Sequence, residues 1–301
     1  MGDRADVTAG AGTLYIVALP IGNLQDITYR AVETLRSVDL IAAEDTRDFR
    51  AIAREYAIET PVISYHDYNE QARTPQLLER LLAGESIALV SDAGTPLIND
   101  PGFRIVAAAA EAGVRVTSLP GPNAIVTALS ASGLPVAPFV FLGFPPRTAS
   151  KRRAFFAPYA SLPATLVFYE APHRLIDALD DALATLGDLP ACLGRNLTKH
   201  HERYQRGTLA TLIAELRAEE TVRGETTVVI GPVNAEQARE AAQEVATASA
   251  EETIAVMLGA GADSRTILER VMREHGLKRR EAYELILHAR NDRREQDAPH
   301  G

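Results

Sequence analysis

Three glycine- and proline-rich turns, each at the exit of an apolar run, constrain this chain more than any other feature. They are Leu19-Pro20-Ile21-Gly22-Asn23-Leu24, Ser91-Asp92-Ala93-Gly94-Thr95-Pro96 and Leu119-Pro120-Gly121-Pro122-Asn123-Ala124. Short apolar runs that end in such turns and lead into helical patterns read as strands of an open α/β sheet. A ligand of such a sheet sits beyond the carboxyl ends of the strands, where the turns bring bare backbone close to it.

The pattern repeats along the chain. Strands are expected at 13–19, 40–43, 62–65, 87–90, 114–119 and 139–142, with helical segments between them. This alternation implies a mostly parallel sheet covered on both faces. A second set comes after it, with strands at 165–169, 191–196 and 226–230 and helices near 151–156, 175–186 and 209–216. The expected organisation is a loose tail over 1–12, an N-terminal α/β domain over 13–143 and a second α/β domain over 144–234. The second domain opens on Phe144-Pro145-Pro146-Arg147, which has the composition of a linker or mobile flap. An Ala-, Glu- and Gln-rich linker covers 235–250, a small helical region 251–292 and a tail 293–301. Three amphipathic segments separated by Gly261 and Gly276 fit either a helix-turn-helix or a small packed bundle.

Composition narrows the function classes. With 46% hydrophobic and 24% charged residues over 301 positions, the chain is an ordinary globular protein. Its apolar runs are far shorter than the roughly 20 residues a membrane span needs. The N-terminal residues lack the apolar middle of a secretory signal, so a cytoplasmic location is expected. The single cysteine, Cys192, leaves no partner for an internal disulfide and reads as a packed core thiol. A formal net charge of -9 argues against uniform wrapping in nucleic acid. Local basic patches remain, at 147–153 and over 265–294, where nine Lys/Arg face five Asp/Glu. There is no Walker-type loop and no glycine triplet at dinucleotide spacing, which disfavours kinases, GTPases and ordinary dehydrogenases. His200 and His201 are adjacent and no metal-ligand spacing occurs, so no metal is expected.

The opening Leu14-Tyr15-Ile16-Val17-Ala18-Leu19-Pro20-Ile21-Gly22-Asn23-Leu24-Gln25-Asp26-Ile27-Thr28 resembles that of the tetrapyrrole-methylase superfamily, in its ribosomal RNA branch. Further matching segments are Glu44-Asp45-Thr46-Arg47, Ser64-Tyr65-His66, Ser91-Asp92-Ala93-Gly94-Thr95-Pro96, Asp100-Pro101-Gly102 and Leu129-Ser130-Ala131-Ser132-Gly133-Leu134-Pro135. Phe141-Leu142-Gly143-Phe144, Phe168-Tyr169-Glu170-Ala171-Pro172-His173-Arg174 and Leu197-Thr198-Lys199 extend the resemblance to about Pro232. It implies two α/β domains of the class III methyltransferase type, with a cofactor cleft between them and a small C-terminal helical region. It also implies transfer of a methyl group from S-adenosylmethionine to the ribose 2′-oxygen of a cytidine in 16S ribosomal RNA, by a homodimer.

S-adenosylmethionine has a purine, a ribose, a zwitterionic tail and a sulfonium but no phosphate, so the missing phosphate loops fit it. Asp92 is the candidate cofactor contact, with Gly94 and Thr95 giving close backbone approach; capping of its own turn is the alternative role for Asp92. The resemblance further places Leu19, Pro20, Gly121, Pro122, Asn123, Ala124, Tyr169, Glu225, Thr226 and Thr227 along the cleft. Methyl transfer to a hydroxyl needs alignment and a route for the proton. Glu44, Asp45, Asp100 and Lys199 are the candidate catalytic groups. Asn23, Arg47, His173 and Arg174 are candidates for holding RNA phosphate or ribose, joined by Arg147, Lys151, Arg152 and Arg153 of the basic flap and by Lys278, Arg279 and Arg280 of the tail. Three positions depart from the branch: Leu97 where a second glycine is frequent, Ala43 where cysteine is common, and Asn196 in place of a frequent glutamate. Two other readings stand beside this one: a methyltransferase of the same fold acting on a corrin or porphyrin precursor, and a non-catalytic RNA-binding assembly protein.

Overall fold

The structure is a computed structural model, and it describes residues 10–233, 250–259, 262–275 and 279–296. The chain divides into two compact units, one of residues 1–155 and 164–231 and one of residues 156–163 and 232–301.

The first unit contains two five-stranded sheets. In the first, β1 (Thr13–Val17), β2 (Leu40–Ala43), β3 (Val62–Ser64), β4 (Ile87–Val90) and β5 (Arg115–Leu119) lie in the order β3-β2-β4-β1-β5. Every pairing is parallel. Alternate side chains of each central strand enter opposite cores, as the two-residue period of a strand requires. Val17, Ile41, Ala43, Ala88 and Val90 pack with α1 (Tyr29–Ser37) and α2 (Thr46–Glu55). Leu14, Ile16, Leu40, Ala42, Ile87 and Leu89 pack on the other face with α3 (Glu70–Leu82) and α4 (Phe103–Glu111). Burial on both faces explains why these strands read as continuous apolar runs.

The second sheet is built from β6 (Phe139–Phe141), β7 (Thr165–Glu170), β8 (Pro190–Arg195), β9 (Arg203–Thr208) and β10 (Thr226–Ile230), in the order β6-β7-β10-β8-β9. Only β6 and β7 pair in parallel; the other pairings are antiparallel. One face is covered by α5 (Ala124–Ser132), whose Ile125, Ala128 and Leu129 pack with Val167, Cys192 and Val229. Cys192 is thus a core thiol. Helix α5 comes after the last strand of the first sheet yet contributes its apolar face to the second core, so the chain crosses between sheets at the third turn. On this sheet α6 (Ala149–Phe156) precedes β7, and α7 (Leu175–Leu186) and α8 (Leu209–Ala218) pack against each other.

The expected mobile flap at 144–147 is tied down. Tyr169 N–H donates to Gly143 O at 2.9 Å, Arg174 Nη2 donates to Pro145 O at 2.6 Å, and Pro145 is buried. Strand β9 has no counterpart among the expected strands, because an edge strand of Arg203-Tyr204-Gln205-Arg206-Gly207-Thr208 carries no apolar run.

In the second unit, the helical residues 250–259 (α9), α10 (Ser264–His275) and α11 (Arg279–Gln296) share a small core of Ile254, Ile267, Val271, Ala282 and Ile286. Gly261, Gly276 and residues 235–249 of the linker expected over 235–250 lie outside the described residues, while residue 250 opens α9. Among the described residues no helix is long and apolar enough to cross a membrane.

Candidate active site

The three turns are bonded to one another. Leu19 and Gly94 form an antiparallel bridge, in which Leu19 N–H donates to Gly94 O and Gly94 N–H to Leu19 O, each at 2.9 Å. Thr95 Oγ1 donates to Pro122 O at 3.1 Å and so joins the middle turn to the third. Gly94 has φ +75°, a conformation that L side chains rarely adopt. At Gly121 a Cβ would stand 2.8 Å from Ala18 Cβ, so glycine is what allows the third turn to lie against the first. Asn123 Oδ1 caps α5, accepting from Ile125 N–H at 3.0 Å and Val126 N–H at 3.3 Å.

Around these turns lies a cleft of about 440 Å³, within the range of small-molecule sites. From the first sheet's strand exits it is lined by Glu44, Asp92, Gly94, Thr95 and Asp100, and from the third turn by Asn123 and Ala124. The second sheet contributes Tyr169, Glu225, Thr226 and Thr227. The remaining candidates stand apart. Leu19 and Pro20 are buried beneath the turn, and Gly121 and Pro122 line a neighbouring recess with Asp26 and Thr198. Lys199 does not line the cleft; its Nζ pairs with Glu225 Oε2 at 2.9 Å. Asp45 is not among the lining residues; its carboxylate takes Arg47 N–H at 2.7 Å as a helix cap and holds the Arg47 guanidinium at 2.5 Å. Those bonds keep its pKa well below the usual carboxylate range. Phe144, Glu170, Asn99 and Leu197 also line the cleft; all but Asn99 lie in segments that carry the family resemblance, but nothing in those segments singles them out as site residues.

The carboxylates of the cleft interact electrostatically. Burial, with Asp92 and Asp100 nearby, pushes Glu44 up to about 7. Asp100 is raised to about 6, again chiefly by burial and then by Asp92 and Asp67. Asp92 is raised by burial and by the neighbouring Asp48 and Asp45, against the bond that Asp45 N–H donates to its Oδ1 at 2.9 Å. Asp92 therefore anchors the neighbouring strand exit rather than capping its own turn. Burial raises Tyr169 to about 12, so its hydroxyl stays a donor at neutral pH. A carboxylate whose pKa lies near 7 is suited to accept a proton under physiological conditions.

Two of the departures occupy unusual backbone. Leu97 has φ +73° and Asn196 φ +52°. A glycine would fit that conformation freely, and leucine adopts it at a cost of about 1–2 kcal/mol. Asparagine tolerates it better than most residues. Asn99 and Thr198, at φ +71° and +65°, add two more such positions along the rims.

The basic candidates divide by burial. Arg147 and Lys151 are exposed. Arg153 is exposed and pairs with Asp181 at 2.7 Å. Arg152 is only 4% exposed; its Nε donates to Asp181 Oδ2 at 2.8 Å and its Nη1 to Arg147 O at 2.7 Å. This corrects the expectation that Arg152 meets RNA: its guanidinium is committed inside the fold. Arg174 is largely enclosed between Pro145 O and Glu170, whose Oε2 lies 3.2 Å away. His173 is exposed, in the short turn ahead of α7. Asn23 caps the 3-10 turn Leu24–Asp26, accepting from Gln25 N–H at 3.1 Å. Arg280 is exposed beside Glu284 at 3.0 Å, Arg279 opens α11, and Lys278 lies outside the described residues.

Comparisons with known proteins agree with this architecture. The family described as Tetrapyrrole (Corrin/Porphyrin) Methylases matches residues 13–213. A ribosomal RNA small subunit methyltransferase I of Micromonospora olivasterospora is 48% identical over 285 residues, covering 95% of this chain and 90% of that protein. The protein of the same name from Bacillus subtilis is 41% identical over 273 residues, covering 91% and 93%. Among solved structures, uroporphyrin-III C-methyl transferase from Thermus thermophilus, complexed with S-adenyl homocysteine, superposes with a TM-score of 0.52 at 21% identity, covering 73% of this chain and 97% of that one. The chain belongs to the tetrapyrrole (corrin/porphyrin) methylases and, within them, to the family of the ribosomal RNA small subunit methyltransferases I.

Proposed function

We propose that this enzyme transfers a methyl group from S-adenosylmethionine to the ribose 2′-oxygen of a cytidine in 16S ribosomal RNA of the small subunit, acting in the cytoplasm as a homodimer. The observation that carries the chemical part is the cleft itself, where bare backbone of the interlocked turns and a set of carboxylates share one small-molecule space. The residues fit the cofactor. Asp92 offers a carboxylate acceptor for its amine or ribose, Gly94 offers backbone without a Cβ, and Tyr169 offers a hydroxyl donor. Bound there, S-adenosylmethionine supplies an electrophilic methyl on a sulfonium that leaves as a neutral thioether.

The protein's own groups hold the hydroxyl and take its proton. Glu44 accepts the single proton of the 2′-hydroxyl as its oxygen forms the new bond to carbon, with the neighbouring Asp100 charge helping to hold the Glu44 pKa up. Alignment of the oxygen behind the methyl accounts for much of the rate. The choice of ribosomal RNA rests on the relatives that carry that name along nearly the whole chain. Exposed Arg147 and Lys151, a few residues beyond cleft-lining Phe144, give phosphates a place to dock.

Mapping of ribose methylation in ribosomal RNA from cells lacking this protein tests the reading. One 2′-O-methylcytidine of 16S RNA is expected to disappear, and to return with the wild-type chain but not with Asp92→Ala. An unchanged methylation map would overturn it.

A further inference from the structure

Phe144 is a large aromatic side chain standing 48% exposed in the wall of the cleft. An exposed ring on a loose loop would carry little meaning, but this one is fixed. Gly143, at φ +68°, turns the chain just before it, and its carbonyl accepts Tyr169 N–H at 2.9 Å. Leu142 N–H is held by Val167 O at 2.8 Å, and the carbonyl of Pro145 takes Arg174 Nη2 at 2.6 Å. The ring rests at 5.5 Å on Tyr169, which packs edge-on at 5.0 Å against Phe141. Backbone bonds and the tilted contact with Tyr169 hold Phe144 in place while about half of its surface stays exposed in the wall of the cleft.

The chain just beyond the ring is cationic. Arg147 and Lys151 are exposed, and among the described residues neither has a carboxylate within ion-pair distance. Pro145 and Pro146 separate this positive stretch from the ring by a short, stiff segment. An apolar ring beside unpaired cations matches an unpaired nucleotide, which needs a surface for its base and a counter-charge for its phosphate.

We propose that Phe144 is a stacking platform for the base of an unpaired nucleotide of the substrate RNA at the methylated position, with Arg147 and Lys151 holding the adjoining phosphates. This rests on the ribosomal RNA reading above and adds the residue that seats the base. Stacking on a preorganised ring orders little in the protein, so most of its free energy is available to binding. It also fixes the ribose relative to the base, which is what presentation of a single hydroxyl requires.

The test compares wild-type enzyme with Phe144→Ala and Phe144→Trp. It measures methyl transfer to small ribosomal subunits from cells lacking the enzyme, the affinity for S-adenosylhomocysteine by calorimetry, and the thermal midpoint. Phe144→Ala is expected to raise KM for the subunit about tenfold or more while leaving S-adenosylhomocysteine affinity and the midpoint in place. Phe144→Trp is expected to restore KM to the wild-type value or below. A Phe144→Ala enzyme with wild-type KM, beside an active wild type, would overturn the platform alone. Equal weakening of S-adenosylhomocysteine binding would assign the ring to the cofactor instead and also overturn it. Failure of the wild type itself to label subunit RNA would overturn the ribosomal RNA reading on which the platform depends.

Discussion

Leu19 and Gly94, 75 positions apart in the chain, exchange two backbone hydrogen bonds of 2.9 Å each. This bridge joins the first turn to the second, and Thr95 joins the second to the third through Pro122 O. The three turns at the mouth of the parallel sheet are thus joined by hydrogen bonds. Gly94, at φ +75°, is one point at which this can be disturbed.

Replacing Gly94 by Ala places a Cβ 3.4 Å from Ile21 Cγ2 on backbone of φ +75°. The left-handed conformation alone costs about 1–2 kcal/mol for an alanine. A lower thermal midpoint is expected, together with about tenfold weaker binding of S-adenosylhomocysteine, equivalent to about 1.4 kcal/mol. Calorimetry and a melting curve on the same preparation check both.

Asp92→Ala removes an acceptor from Asp45 N–H and a carboxylate from the cleft. The amide it leaves is part exposed and can turn to water, so the fold is expected to persist with a loss of about 1 kcal/mol. Cofactor affinity is expected to fall by more than tenfold, more than the stability loss explains. Unchanged affinity by calorimetry would remove Asp92 from the binding site.

The carboxylates of the cleft give opposite pH signatures for stability and for rate. Glu44 and Asp100 titrate in the folded protein at about 7 and about 6, above their ordinary values. A raised folded pKa means that the native state binds protons more tightly than the unfolded chain. The associated stability is present at low pH and is lost as pH rises through those values. Denaturant midpoints are therefore expected to fall between about pH 5 and about pH 8, and less so in Glu44→Gln. Methyl transfer needs the ionised base and is expected to rise over the same window; in Glu44→Gln the transfer rate is lower and its rise through pH 7 flattened.

Arg152 and its exposed neighbours separate structure from recognition. Arg152→Ala breaks a buried ion pair with Asp181 and is expected to cost about 3 kcal/mol in chemical denaturation. Arg147→Ala and Lys151→Ala are expected to leave stability within about 0.5 kcal/mol. Each is expected to weaken binding to the small subunit and to lower the salt dependence by about one in slope.

The sheet is legible in the sequence because its central strands are apolar on both faces: the runs at Leu40–Ala43 and Ile87–Val90 coincide with β2 and β4. Strand β9 is hidden because an edge strand of Arg, Gln and Thr has no such pattern. Glu44 and Asp45 are indistinguishable as neighbours in one motif; only the structure shows Asp45 turned to Arg47 while Glu44 lines the cleft. Burial of Arg152 depends on Asp181, 29 residues away, and a local reading of a basic run cannot find such a partner. Glu170 and Phe144 belong to motifs visible in the chain, but their place on the cleft wall is set by how the second sheet meets the turns.

The most direct measurement supplies purified enzyme with methyl-labelled S-adenosylmethionine and small ribosomal subunits from cells lacking it, then digests the RNA to nucleosides. Label recovered as 2′-O-methylcytidine from 16S RNA is the expected result. Label on a base, or transfer to a porphyrin precursor with none to the RNA, would contradict it.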